Sequence, residues 1–159
     1  MIPRRTIAVL AVLLTGTLMA ASITLAAGSS SSSQRPPRKS EYDKAVSAVK
    51  SGNYRTAVNL LKKVVARDSR NADAYNYLGF SHRKLGQFNT AMRYYRKALA
   101  IDTKHKGAHE YIGELYLQLD DLGKAQEHLA KLKGICRRGC EEHDDLKAAI
   151  KRYKAKKRR

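Results

Sequence analysis

The chain has 159 residues, 32 Lys and Arg against 14 Asp and Glu, and a formal net charge of +18. That length holds one domain of ordinary size and excludes a barrel enzyme of about 250 residues. The cationic surplus points to anionic partners and says nothing of fold, and two Cys exclude a disulfide-rich scaffold.

Arg4 and Arg5 precede Ile7–Ala27, a run rich in Leu, Val and Ala with no charge. A short basic region, an apolar run and small residues at its end make a secretory signal over 1–28. The rival reading is a retained anchor, since a run of about 20 apolar residues can span a bilayer. Either reading places the remainder outside the cytoplasm, because Arg4 and Arg5 hold the N-terminus inside; the bacterial periplasm is the expected compartment. Residues 29–39 hold five serines and then Gln34-Arg35-Pro36-Pro37-Arg38, and read as a disordered tether.

From there the chain repeats itself. Ala57, Ala91 and Ala125 lie 34 residues apart. Gly52, Gly86 and Asp120 share that register, as do Ala45, Gly79 and Gly113, and Leu61, Tyr95 and Leu129. Three units, 38–71, 72–105 and 106–139, follow without insertion. Each reads as two helices: in the middle unit Tyr75, Leu78 and Phe80 recur at helical spacing, Gly86-Gln87 breaks the run, and Ala91, Tyr95 and Ala98 resume it. The small columns let helices approach closely. Residues 141–157 read as a final helix with Leu146, Ala149, Ile150 and Tyr153 as its apolar stripe, acids at its start and cations at its end; a solenoid needs such a cap.

Tyr75, Leu78-Gly79, Gly86, Phe88, Ala91, Tyr95 and Ala98 resemble the tetratricopeptide repeat family in order, and the third unit matches with Ile112-Gly113, Tyr116, Leu122, Ala125 and Leu129. The first unit departs where Glu41 and Lys44 replace the aromatic and the Leu, and the family's closing Pro is absent from all three. The segment Ala108–Tyr153 also resembles small secreted bacterial proteins of this family with a Cys-x3-Cys turn and a cap helix. The resemblance implies an all-α, right-handed solenoid of three helix pairs plus cap over 40–159. It also implies a concave groove lined by Tyr42, Val46, Val49, Asn76, Phe80, Arg83, Lys84, Glu110, Glu114 and Leu117. Such a groove takes a protein or peptide partner. The family's carboxylate clamp is incomplete, because Val46 and Gly107 stand where clamp residues belong.

Cys136 and Cys140 flank a turn holding Gly139; outside the cytoplasm a structural disulfide is expected there. A redox pair favoured by Arg137 and Arg138, or a zinc site with His143, are the alternatives. His105 and His109 are spaced like metal ligands, but His109 occupies the packing column of Tyr75, and no metal is expected. No nucleophile motif, partnered base or phosphate loop is visible, so the chain reads as non-enzymatic and without cofactor. Lys63, Lys97 and Lys131 fall in register as a ladder. Lys154, Lys156, Lys157, Arg158 and Arg159 end a segment in which eight of thirteen residues are cationic. Ladder and tail together suit an anionic envelope surface, the second reading beside the peptide adaptor. Nucleic acid and small-molecule substrates are not expected.

Overall fold

The structure is a computed structural model and describes residues 40–158. Those residues form seven helices: α1 (Glu41–Lys50), α2 (Tyr54–Arg67), α3 (Ala72–Lys84), α4 (Phe88–Ile101), α5 (Lys106–Gln118), α6 (Leu122–Ile135) and α7 (Glu141–Lys157). There is no strand among the described residues. The pairs α1–α2, α3–α4 and α5–α6 pack in chain order, and α7 lies against α5 and α6. The expected signal or anchor, the tether and Arg159 lie outside the described residues. No helix among the described residues is long and apolar enough to cross a membrane.

Side chains that accept from exposed N–H groups start four of the helices. Ser40 and Asp43 form a reciprocal capping box on α1. Asn71 accepts from the Ala74 N–H at 2.8 Å, His105 from Ala108 at 3.1 Å, and Asp121 from Lys124 at 3.0 Å. His105 is thus a cap residue at the repeat boundary. The turn inside each unit is the same Schellman motif three times over. The N–H groups of Asn53, Gln87 and Asp121 donate to the carbonyls of Ala48, His82 and Tyr116 at 2.8, 2.9 and 2.8 Å. The residue before each donor is left-handed: Gly52 at φ 75°, Gly86 at 74° and Asp120 at 64°. Glycine meets that demand freely, whereas Asp120 meets it against steric resistance.

The small columns are close approaches. A Cβ on Gly79 would lie 2.4 Å from the Tyr95 ring, and one on Gly113 would lie 2.5 Å from a Leu146 methyl. Tyr95 and Leu146 are both fully buried, so neither has room to retreat. Ala57, Ala91 and Ala125 are all fully buried, as their register requires. The core runs the length of the stack. Its first part holds Ala45, Leu61 and Leu78; its second Ala91, Tyr95 and Ile112; its last Ala125, Leu132, Leu146 and Ile150. The cap helix therefore closes the core with Leu146 and Ile150. α1 has 10 residues against 13 in α3 and in α5, so the degenerate first unit is a shortened one.

Candidate functional site

One face of the stack is built from α3, α5 and α7, and it carries two cavities. Because the lining residues climb these helices in step, the cavities lie toward opposite helix ends. Near the N-terminal ends a cavity of about 330 Å³ is lined by Asp73, Asn76 and Tyr77 of α3, Glu110 and Tyr111 of α5, and Glu141, Glu142 and Asp145 of α7, with Tyr42 of α1 beside them. Near the C-terminal ends one of about 660 Å³ is lined by Arg83 and Lys84, by Glu114, Leu117 and Gln118, and by Arg152, Tyr153, Lys156 and Lys157. The groove is acidic at one end and basic at the other, the distribution that helix dipoles favour.

A ring-and-charge cluster separates the two ends. Phe80 and Tyr111 have centroids 4.9 Å apart. The Arg83 guanidinium lies 5.3 Å from the Phe80 centroid and 5.6 Å from that of Tyr111. Its Nη2 pairs with Glu114 at 2.6 Å, and its Nε donates to the Tyr95 hydroxyl at 3.4 Å. Arg83 is only 5% exposed. It is a buried structural cation in the groove floor as well as a groove residue, and Glu114 is its counter-charge.

Of the residues expected to line the groove, Asn76 and Glu110 fall at the acidic end, Phe80 in the middle, and Arg83, Lys84, Glu114 and Leu117 at the basic end. Tyr42 borders the acidic cavity, and Val46 is half-buried on α1. Val49 departs from expectation: at 8% exposure it belongs to the first core cluster, because α1 turns it toward α2 and α3. Tyr77, Tyr111 and the whole contribution of α7 were not foreseen. Tyr77 and Tyr111 share one 34-residue column, and that pairing of tyrosines was the available signal for both.

The basic tail divides between two faces of α7. Lys156 and Lys157 share the basic cavity with Arg83 and Lys84. Lys157 pairs with Asp120 at 2.7 Å, and the Tyr153 hydroxyl donates to the same carboxylate. These partners hold the Asp120 carboxyl below the usual range, the Lys157 bond contributing most. Lys154 and Arg158 lie on another face of α7 with Lys147 and Lys151. The ladder residues Lys63, Lys97 and Lys131 are exposed on α2, α4 and α6 and line neither groove cavity. Lys97 sits 4.5 Å from the centroid of Tyr75, so one rung is occupied by a cation–ring contact within its own unit.

Burial shifts three groups on α5 and α6. Glu110 is pushed up to about 8, chiefly by burial, then by Glu114, Asp145 and Glu142, with Arg83 opposing. His109 and His128 face each other, Nδ1 to Nδ1, at 3.1 Å, and His109 Nε2 meets the Thr103 carbonyl at 3.1 Å. Burial lowers both, His128 to about 4, with Lys131 adding to the effect. Two neutral rings satisfy this geometry: His109 donates from Nε2 to Thr103 and accepts at Nδ1 from His128. His109 thus packs in the column of Tyr75, as expected. His128 holds the column of Tyr94, so the pair replaces the Tyr75–Tyr94 stack of the middle unit, whose centroids are 6.3 Å apart. Cys136 and Cys140 have their Cα atoms 5.6 Å apart and their sulfurs 2.07 Å apart, at the entrance to α7.

A family model described as "Anaphase-promoting complex, cyclosome, subunit 3" matches residues 50–132. No curated protein matches the sequence. Among solved structures, the chain is similar to the type III secretion translocator chaperone SycD of Yersinia enterocolitica. In its complex with a peptide of the translocator YopD the TM-score is 0.64 and the identity 21%, over 74% of this chain and 92% of that one. It is similar also to the first tetratricopeptide domain of Spaghetti (RPAP3) bound to the HSP90 peptide SRMEEVD, with a TM-score of 0.63 and 19% identity over 72% and 93% of the two chains. MamA from Desulfovibrio magneticus RS-1 is 28% identical with a TM-score of 0.58, over 61% of this chain and 55% of that one. At such identities the first two likenesses concern the fold.

Proposed function

Since the chain belongs to the tetratricopeptide repeat family, we propose that it is an exported, non-enzymatic adaptor that holds a peptide segment of another protein in the groove of α3, α5 and α7. The observation that carries this reading is the groove's geometry. It has two open cavities, a rigid aromatic divide at Phe80 and Tyr111, and opposite charge at its two ends. Such a site fixes the direction of a bound segment as well as its place, because like charges brought together cost binding energy. Solved relatives bound to a YopD peptide and to an HSP90 peptide support the peptide-holding part of the proposal.

The basic end brings Arg152, Lys156 and Lys157 to the groove, so the tail acts within the peptide site and speeds encounter with an acidic segment. The Cys136–Cys140 bridge is structural in this reading and pins the start of α7 to the end of α6. Non-reducing purification from the exporting cell should yield no free thiol; two free thiols would remove the bridge. The second reading, an anionic surface binder, rests on Lys147, Lys151, Lys154 and Arg158 lining another face of α7. Selection of displayed random 12-residue peptides on the full chain separates the two. The adaptor reading predicts groove-bound sequences whose affinity falls in Leu117→Asp. Failure to select any peptide, with strong salt-sensitive binding to anionic vesicles, would favour the surface reading.

A further inference from the structure

The acidic cavity has features that its neighbours do not explain. The chain carries 32 cationic residues and only 14 acidic ones, yet Asp73, Glu110, Glu141, Glu142 and Asp145 all converge on this one cavity. Asp73 is engaged by His105 at 3.0 Å, and Glu142 by Lys106 at 3.7 Å. Glu110, Glu141 and Asp145 form no ion pair among the described residues, although Glu110 is only 8% exposed. Asn76 is 5% exposed, lines the same cavity, and its Oδ1 has no hydrogen-bond partner. A buried polar group left unpaired costs about 1–3 kcal/mol, and Glu110, lining the cavity at 8% exposure, is the one that a ligand there could satisfy. The cavity is also aromatic, with Tyr42, Tyr77 and Tyr111 in its wall, the first two with centroids 6.2 Å apart.

We propose that this cavity is a binding site for a side-chain cation, the guanidinium or ammonium group of a basic residue on the segment held in the groove. The deepening rests on the adaptor reading and adds to it the polarity of the partner: a basic residue at the α7-start end, acidic residues toward Lys84 and Lys156. Glu110 and Asp145 neutralise the cation, the Asn76 side chain borders its seat, and the tyrosine rings offer their faces to it. A small divalent ion fits less well. The one group of three His, Cys, Asp or Glu ligand atoms within 4.8 Å among the described residues is Cys136, Cys140 and Glu142, so the cavity carboxylates are spread too widely to wrap one ion. An organic cation with several donors bridges such a spread.

The charge state of Glu110 supplies an independent readout. The groups acting on it are Glu114 and Tyr111 on its own helix, Glu142 and Asp145 on α7, and Arg83 on α3; Asp73 with its partner His105, Glu141 and Tyr77 complete the titratable wall of the cavity. With its carboxyl raised to about 8, it is mostly protonated at neutral pH in the free protein. A bound cation favours the carboxylate, so binding releases a proton and affinity rises between about pH 6 and pH 8.

The experiment uses the full chain and three small probes: N-acetyl-arginine, N-acetyl-lysine and N-acetyl-citrulline methylamides. Amide and carboxamide NMR shifts at Asn76, Gly107 and Glu110 report on the cavity. The charged probes should shift these resonances and the neutral citrulline should not; the stronger of arginine and lysine identifies the cation. The affinity should rise at least threefold from pH 6 to pH 8. The isosteric Glu110→Gln should flatten that rise, and Asp145→Asn on the exposed rim should weaken binding severalfold without changing the fold. Equal shifts with citrulline, shifts unmoved by both variants, or the same shifts produced by calcium or magnesium alone would each overturn the proposal. Displayed peptides that bind the groove with no preference for a basic residue would overturn it too, while leaving the adaptor reading intact.

Discussion

Acid should weaken this fold through the His109–His128 pair, and the sign and size follow from its geometry. In the folded chain both rings are held neutral, because burial and Lys131 disfavour their charge, His105 adds to this at His109, and the rings share one hydrogen bond. In the unfolded chain each titrates near 6.5. Between those values the unfolded state binds more protons, so stability rises with pH through the window from about 4 to 6.5. It is complete above 6.5 and lost below 4. For His128 the displacement from 6.5 to about 4 corresponds to about 3 kcal/mol at most. Residual screening by water and Lys131 brings the contribution nearer 1–2 kcal/mol. The perturbation that isolates it is the double change His109→Tyr and His128→Tyr, which rebuilds the Tyr75–Tyr94 arrangement of the middle unit. Urea unfolding at pH 4.5, 5.5, 6.5 and 7.5 is the assay. The parent should lose about 1–2 kcal/mol from pH 7.5 to 4.5 beyond what the variant loses. A variant with the same pH profile as the parent would show that the pair is charged or solvated when folded.

Three further outcomes are expected. Arg83→Ala leaves Glu114 without its counter-charge and the Tyr95 hydroxyl without its donor; it should cost about 2–4 kcal/mol in chemical denaturation, whereas a mere surface cation would cost less than 0.5 kcal/mol. Two glycines should respond with opposite signs. Gly113→Val drives its Cβ into Leu146 and should cost about 1–3 kcal/mol, while Gly134→Ala, in open space on α6, should gain about 0.5 kcal/mol; equal effects in thermal melts would refute the close approach. Asp120→Gly keeps the left-handed turn but removes the bonds to Tyr153 and Lys157. Amide exchange should accelerate at the end of α7 with little change in Tm, and unchanged exchange would mean that those contacts are idle.

The 34-residue columns carried the fold. Small residues at 57, 91 and 125 have to be buried where helices cross, and glycines at 52 and 86 have to turn the chain, so periodicity alone located both. The Asp at 120 shows the limit of that reading. Its place in the glycine column marks a turn, but the reason for an acid there is Tyr153 and Lys157, far along the chain. The same limit explains what was missed in the site. α7 falls where the first helix of a fourth unit would, with Leu146 one period after Ile112 and two after Leu78, but the repeat's polar columns do not continue into it, so the packing on α5 that brings Glu142, Asp145, Arg152 and Lys156 to the groove is not legible from the columns. Consequently the basic tail and the groove read as separate features when they share a cavity. Val49 shares the column of Arg83 and Leu117, but a short apolar side chain there packs into the first core cluster instead of reaching the groove. The His pair was within reach: a shift of 34 residues sets His109 on Tyr75 and His128 on Tyr94, two residues that must stack.

The claim that the face of α3, α5 and α7 holds the partner is tested most directly by site-specific photo-cross-linking in the cells that produce the chain. A photoreactive phenylalanine at Gln118, exposed at the basic end of the groove, is compared with one at Lys63, exposed on α2. The account predicts a discrete cross-linked protein from position 118, lost in Leu117→Asp, and none from position 63. Cross-links from position 63 that survive Leu117→Asp, with none from 118, would contradict it.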